Sequence, residues 1–263
     1  MRIHVTALVM AASGLAGCGN GGGGTVDARA DAAAAVADAA PDGAPDAFDL
    51  CPGQTLFTGE YIDWDSSVSN FHGVADGTVT DVNDSNRTDQ TSPNGRWEVC
   101  VPSATDGLFS FTQTDYLPLL YTMDADSIAT GIPTVRGLTP ARAVELFAGM
   151  GGPSRDTGKA QLMIDVRRYP ADMPVDGATI DIGSTLNDGA WARDATGGLS
   201  AGATTGAGGL IWFINVDTTP ANVGDVGRDV VVTVTPPNGT TCVGPATVHV
   251  EAGKMAAASF ACQ

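Results

Sequence analysis

The sequence predicts an all-β fold: two tandem sandwich modules with one short helix between them. Three observations carry that prediction. Residues 51–263 are rich in Gly, Thr, Val and Asp and poor in helix formers. Turn residues interrupt them about every eight to twelve positions, the spacing expected of short strands in a sandwich or barrel. The segment also repeats itself. Asp76-Gly77-Thr78-Val79-Thr80-Asp81 parallels Asp176-Gly177-Ala178-Thr179-Ile180-Asp181, and Asn94-Gly95-Arg96-Trp97 onward parallels Gly208-Gly209-Leu210-Ile211 onward.

The chain divides by composition into five parts. Residues 1–17 have the layout of a signal peptide: Arg2 near the start, an apolar run from Val5 to Met10, then small residues. That run is too short to span a bilayer, which takes about 20 apolar residues. Residues 18–50 begin with Cys18 and continue as Gly-, Ala-, Asp- and Pro-rich sequence with few apolar side chains. Such a segment buries too little to offset its ordering entropy and is expected to act as a disordered tether of about 30 Å typical span. Residues 51–126 form the first expected module, 127–158 a connector, and 159–263 the second.

Within the modules, Leu56–Trp64 and Gln161–Arg167 read as leading strands. Asn94-Gly95 is a tight-turn signal, after which Trp97, Val99 and Val101 alternate on one face. Leu108–Phe111 and Val230–Val234 supply a further apolar strand in each unit. In the connector, Thr139 caps a helix, Pro140 suits its first turn, Val144, Phe147 and Met150 share a face, and Gly149, Gly151 and Gly152 stop it.

Cysteine usage fits an exported protein. With Cys18 set aside, Cys51, Cys100, Cys242 and Cys262 remain, an even number. A hairpin folded about Ala252, with Gly253 in the left-handed position, pairs Val250 with Lys254 and carries Cys242 to a place opposite Cys262. Cys51–Cys100 follows by elimination.

Thirty acidic residues against thirteen basic ones give a net charge of −17, which repels nucleic acid. Asp81-Val82-Asn83-Asp84-Ser85-Asn86 begins like an EF-hand loop but lacks its sixth-position glycine and its twelfth-position glutamate. Pro153–Ala160 mimics a phosphate loop with the first glycine and the magnesium hydroxyl both missing. His72 and His249 are isolated, and there is no Gly-x-Ser-x-Gly elbow. No catalytic set, cofactor or metal site is therefore expected.

Leu15-Ala16-Gly17-Cys18 resembles the lipobox of bacterial lipoproteins. That resemblance implies lipidation of Cys18 and cleavage before it, and Gly19 in place of Asp implies sorting to the outer membrane. A second resemblance lies in Gly73-Val74-Ala75-Asp76-Gly77-Thr78-Val79, then Thr91–Pro102, then Tyr116. This order of pieces is similar to carboxypeptidase regulatory-like, or Ig/transthyretin-like, β-sandwich modules, and implies a fold more than a chemistry.

The function expected from these features is a non-enzymatic, membrane-anchored surface lipoprotein acting as a binding or spacer module. Its partners would be the membrane, through the N-terminal lipid, and an envelope protein or polysaccharide. One alternative is carbohydrate binding through exposed tryptophans. Trp64, between Asp63 and Asp65, and Trp191, in the long insert from Asn187 to Ala207, are the candidates, with Trp97 and Trp212 left to the core. Another is a hydrolase that uses carboxylates alone, although nothing in the sequence selects a pair.

Overall fold

The structure is a computed structural model that describes residues 51–67, 70–102, 105–125 and 133–263. The signal peptide, Cys18 and the tether lie outside the described residues. The first half contains β1 (Gln54–Asp63), β2 (Thr78–Asp81), β3 (Thr88–Gln90), β4 (Arg96–Pro102), β5 (Gly107–Thr112), β6 (Leu119–Met123) and β7 (Thr134–Gly137). Helix α1 (Pro140–Met150) follows. After it come β8 (Ala160–Arg168), β9 (Met173–Pro174), β10 (Thr179–Asp181), β11 (Gly189–Arg193), β12 (Leu199–Ala201) and β13 (Leu210–Val216). The chain ends with β14 (Arg228–Val231), β15 (Thr233–Thr235), β16 (Cys242–Val243), β17 (Thr247–Val250) and β18 (Met255–Cys262). The fold is all-β and sandwich-like, as the turn spacing predicts.

One large sheet runs β12-β11-β13-β8-β18-β6-β5-β2-β3, with β16 beside β18 and β9 beside β8. Strand β18 is parallel to both β8 and β6, so hydrogen bonds cross from the second expected module into the first. A smaller sheet, β4-β1-β7, and helix α1 contribute to the core on one face. The ribbons β10-β15 and β14-β17 contribute to the core on the other. Side chains of the shared strands alternate between the two cores. Met163, Trp212 and Ala257 enter the first, whereas Leu162, Ile164, Phe213 and Ala258 enter the second. The modules are thus two sandwiches that share a sheet.

The internal repeat persists in the hydrogen bonds. Tyr61 N–H donates to Gly95 O, and Val166 N–H to Gly209 O, both at 2.8 Å. Val74 N–H reaches Tyr61 O at 2.8 Å, and Val175 N–H reaches Val166 O at 2.9 Å. The buried Thr91 hydroxyl accepts from Gly77 N–H at 2.7 Å, and the buried Thr205 hydroxyl from Ala178 N–H at 2.8 Å. Gly95 and Gly209 each turn the chain with positive φ, 78° and 69°, a region open to glycine without steric cost. Gly77 therefore matches Ala178, one residue beyond the register that the bare sequence suggests.

Three expectations need correction. First, the face of α1 that packs is Ala143, Leu146 and Phe147, with Met150 beside them, while Val144 is 70% exposed. Both Val144 and Ala143 have partners at helical spacing, and the stripe that begins at Ala143 collects Leu146 as well as Phe147. The caps are as expected: Thr139 Oγ1 accepts from Arg142 N–H at 3.1 Å, and Gly151 is left-handed.

Second, the segment Val230–Val234 is two strands: Val232 N–H to Ala246 O is the last step of the β14–β17 register, and Thr233–Thr235 then pair with β10 instead. Third, β17 and β18 flank a turn at Glu251–Gly253 but are not a hairpin. Strand β17 pairs with β14, and β18 joins the shared sheet. Val248 and Val250 face the second core from its outer layer, and Ala256 and Phe260 face it from the shared sheet, so the chain crosses between layers at the turn.

The cysteine pairing nevertheless holds. Strand β16 returns to the edge of β18 and sets Cys242 opposite Cys262, with a Cα separation of 4.0 Å. Cys51–Cys100 is closed as well, at 5.5 Å.

Candidate functional site

The two tryptophans expected to be exposed are core residues: Trp64 is 0% and Trp191 7% exposed. The structure brings them together, but around Trp212. Trp64 packs on Trp212 with ring centroids 5.5 Å apart, Phe147 meets Trp212 at 5.3 Å, and Trp191 sits opposite Trp212 in the β11–β13 ladder. The reason lies in the insert Asn187–Ala207, which forms β11 and β12 and extends the shared sheet. Trp191 thereby acquires covered neighbours, and no sugar-stacking platform remains at either position.

Beside Trp64 lies a buried ionic cluster. Arg136 Nη1 donates to Trp64 O at 3.3 Å and to Ser66 O at 3.1 Å. Arg193 places its guanidinium 5.6 Å from the Trp64 ring centroid, and Arg167 Nε donates to Asp165 Oδ2 at 2.9 Å. Burial and the charge of Arg193 pull the Arg136 guanidinium down to about 10. Asp165 Oδ1 and Arg193 Nε have no hydrogen-bond partner. The adjoining cavity holds only about 10 Å³, roughly the space of one water. The cluster is a device that holds Trp64 and β7 over the shared sheet.

The acidic turns are likewise occupied. Asp81 Oδ2 receives Arg87 Nη1 at 3.2 Å, so an arginine supplies the cation in the loop that begins like an EF-hand. Asp63 Oδ2 accepts from Tyr116 O–H at 2.9 Å, and Asp65 Oδ1 from Arg142 at 2.9 Å. Burial, followed by that contact with Asp63, pushes the Tyr116 phenol up to about 12. His249 Nδ1 lies 2.8 Å from Asp229 Oδ1. Among the described residues, no group of three or more His, Cys, Asp or Glu side chains could hold a metal ion. No described helix is long and apolar enough to cross a membrane.

A space large enough for a ligand lies elsewhere. A cleft of about 570 Å³ opens at one end of the second sandwich, where three loops meet. They are the run into β8 (Asp156, Gly158, Lys159), the β13–β14 loop (Asp217–Pro220, Val226) and the β17–β18 turn (Glu251, Ala252). Loop clusters on a rigid sandwich are the usual place for recognition.

Asn215 fixes the first of these loops. It is 2% exposed with φ of 51°, at an irregularity in the β13–β8 pairing. Its Oδ1 accepts from Asp156 N–H at 2.8 Å and Gln161 Nε2 at 3.1 Å. Its Nδ2 donates to Ser154 O at 2.9 Å and Asp188 Oδ2 at 3.0 Å. A buried asparagine with every amide position used holds the loop in one conformation. Asp217 accepts from the Thr219 hydroxyl at 2.7 Å and pairs with Arg228 at 3.0 Å. The Thr219 hydrogen bond is the foremost of the contacts that hold its carboxyl below the usual range.

Of these residues Asp156, Gly158 and Lys159 stand out in the sequence, as part of the imitation phosphate loop, and that loop leads into strand β8 where a phosphate loop would lead into a helix. The rest carry no sequence signal, because the cleft is assembled from loops almost 100 residues apart.

No known family pattern matches this chain, and no curated protein matches it. Among solved structures, the shaft pilin SpaA from Lactobacillus rhamnosus GG aligns over 80% of this chain and 98% of its own, at 10% identity and a TM-score of 0.25. The Bacillus anthracis TIE protein aligns over 80% of this chain and 34% of its own, at 14% identity and a TM-score of 0.22. Similarities at this level carry no argument about function. What the coordinates themselves define is a disulfide-stapled, all-β protein of two sandwiches that share a sheet.

Proposed function

We propose that this protein is a non-enzymatic surface lipoprotein, lipidated at Cys18 and carried on the 18–50 tether. Its double sandwich serves as a binding or spacer module at the cell envelope, most simply the outer membrane. The carrying observation is the closure of both disulfides, Cys51–Cys100 and Cys242–Cys262. Stable disulfides belong to an oxidising compartment, the destination that the lipobox independently implies. A body fixed by two bridges and a shared sheet suits display at the end of a flexible tether.

Cell fractionation and N-terminal mass spectrometry test this reading. The native protein should pellet with membranes and begin at a Cys18 bearing diacylglycerol and an N-acyl chain. Cys18→Ala should release it or leave the signal peptide uncut. A soluble native protein with unmodified Cys18 would overturn the proposal. Cross-linking in intact cells then separates the two roles: a defined protein or glycan marks a binding module, and an empty pull-down marks a spacer.

A further inference from the structure

We propose that the loop cleft at the end of the second sandwich binds a small neutral saccharide through vicinal hydroxyls. This rests on the binding-module reading and names the ligand class that such a module would take. The volume, about 570 Å³, falls in the range of roughly 300–1,000 Å³ usual for ligand pockets.

Charge selects a neutral ligand. The net charge of the chain is −17 and it has only two lysines; Lys159 lines this cleft and Lys254 pairs with Glu251, which also lines it. Lys159 lies 3.6 Å from Asp188, Arg228 3.0 Å from Asp217, and Lys254 2.7 Å from Glu251. The carboxylates of Asp217 and Glu251 therefore enter the cleft already paired with a cation, and that of Asp156 accepts from Gly158 N–H at 2.8 Å. A charged ligand would have to compete with these pairs, whereas an uncharged hydroxyl can use the remaining lone pairs of the carboxylates.

The lining has two chemical characters. Asp217, Thr218, Thr219 and Glu251 offer acceptors and hydroxyls, while Pro220 and Val226 offer apolar surface, Val226 being 71% exposed. A sugar ring has the matching pair of characters, a hydroxyl edge and a C–H face. No aromatic side chain lines the cleft, so a flat nucleobase finds nothing to stack on. The loop that carries Asp156 is preformed by the left-handed Asn215 and its hydrogen bonds, which lowers the ordering cost of binding.

The test is an array of immobilised neutral mono- and oligosaccharides probed with the labelled mature chain, followed by calorimetric titration of the bound glycan. Binding to a neutral glycan is expected, with Kd raised at least tenfold in Thr218→Ala and in Asp217→Asn. Val144→Ser, on the exposed face of α1, should leave it unchanged. Thr218→Ala disturbs no strong internal contact, so it reads the site even where Asp217→Asn loosens the loop, and urea midpoints check both. No glycan bound, or binding undiminished in both variants, would overturn the assignment. A cellular partner that cross-links equally to wild type and to Asp217→Asn would leave the binding-module reading standing while the cleft assignment falls.

Discussion

Strands β4 and β13 hold equivalent places in the two repeats, yet they are buried in different ways. Each follows a left-handed glycine, Gly95 or Gly209, and each pairs antiparallel with the leading strand of its sandwich. Strand β4 alternates, with Trp97, Val99 and Val101 buried and Arg96, Glu98 and Pro102 exposed. Strand β13 is buried at every position from Leu210 to Val216. The same local rule produces both strands, and the neighbours decide the rest. Strand β4 belongs to an outer sheet with one face in water, whereas β13 belongs to the shared sheet with a core on either side.

The comparison can be broken most severely in the shared sheet. Trp212→Ala removes the side chain on which Trp64 and Phe147 pack and should cost about 3–5 kcal/mol, read as a lower urea midpoint. Val99→Ala in β4 should cost less, because fewer apolar atoms are lost at that position. The disulfides rank next. Opening Cys51–Cys100, which spans 49 residues, should cost about 4 kcal/mol on the chain-entropy account, and opening Cys242–Cys262, which spans 20, about 3. Melting of the paired Cys→Ser variants measures both.

The repeat itself is sharpened by its threonines. Thr91→Val and Thr205→Val each leave a backbone N–H without its hydroxyl acceptor, and each should cost about 1–2 kcal/mol. Equal losses would confirm that the two sites are energetically as well as geometrically equivalent. A large difference would show that the second core compensates.

A smaller, pH-dependent effect comes from two carboxyls of the second repeat. The carboxyls of Asp194 and Asp217 are held low, first by hydrogen bonds from the Thr196 and Thr219 side chains. Groups whose folded pKa is depressed stabilise the protein above the unfolded carboxylate value of about 3.9, and that contribution is lost as pH falls through the folded value. Urea midpoints taken between about pH 6 and pH 2.5 should fall toward acid, and by less in a double Asp194→Asn, Asp217→Asn variant. Smallest of all, Val144→Ser should move stability by less than about 0.5 kcal/mol, since Val144 faces solvent.

Much of this was legible without coordinates. The Asn94-Gly95 turn, the alternation in β4 and the Thr139 and Gly151 caps are local, and residue type alone determines them through φ preference, side-chain period and capping geometry. The Cys242–Cys262 pairing came out as expected, but through β16 returning to β18 and not through the expected hairpin. The burial of Trp64 and Trp191, the layer crossing at Glu251–Gly253 and the loop cleft are different in kind. An unbroken apolar run such as Leu210–Val216 announces that both faces are covered but not by what. Here the cover comes from β1, β7 and α1 on one side and from β10, β14, β15 and β17 on the other. Only the tertiary structure decided that β6 and β18 would lie side by side, because parallel pairing between distant strands is chosen by the total surface buried and leaves no short-range mark on the chain.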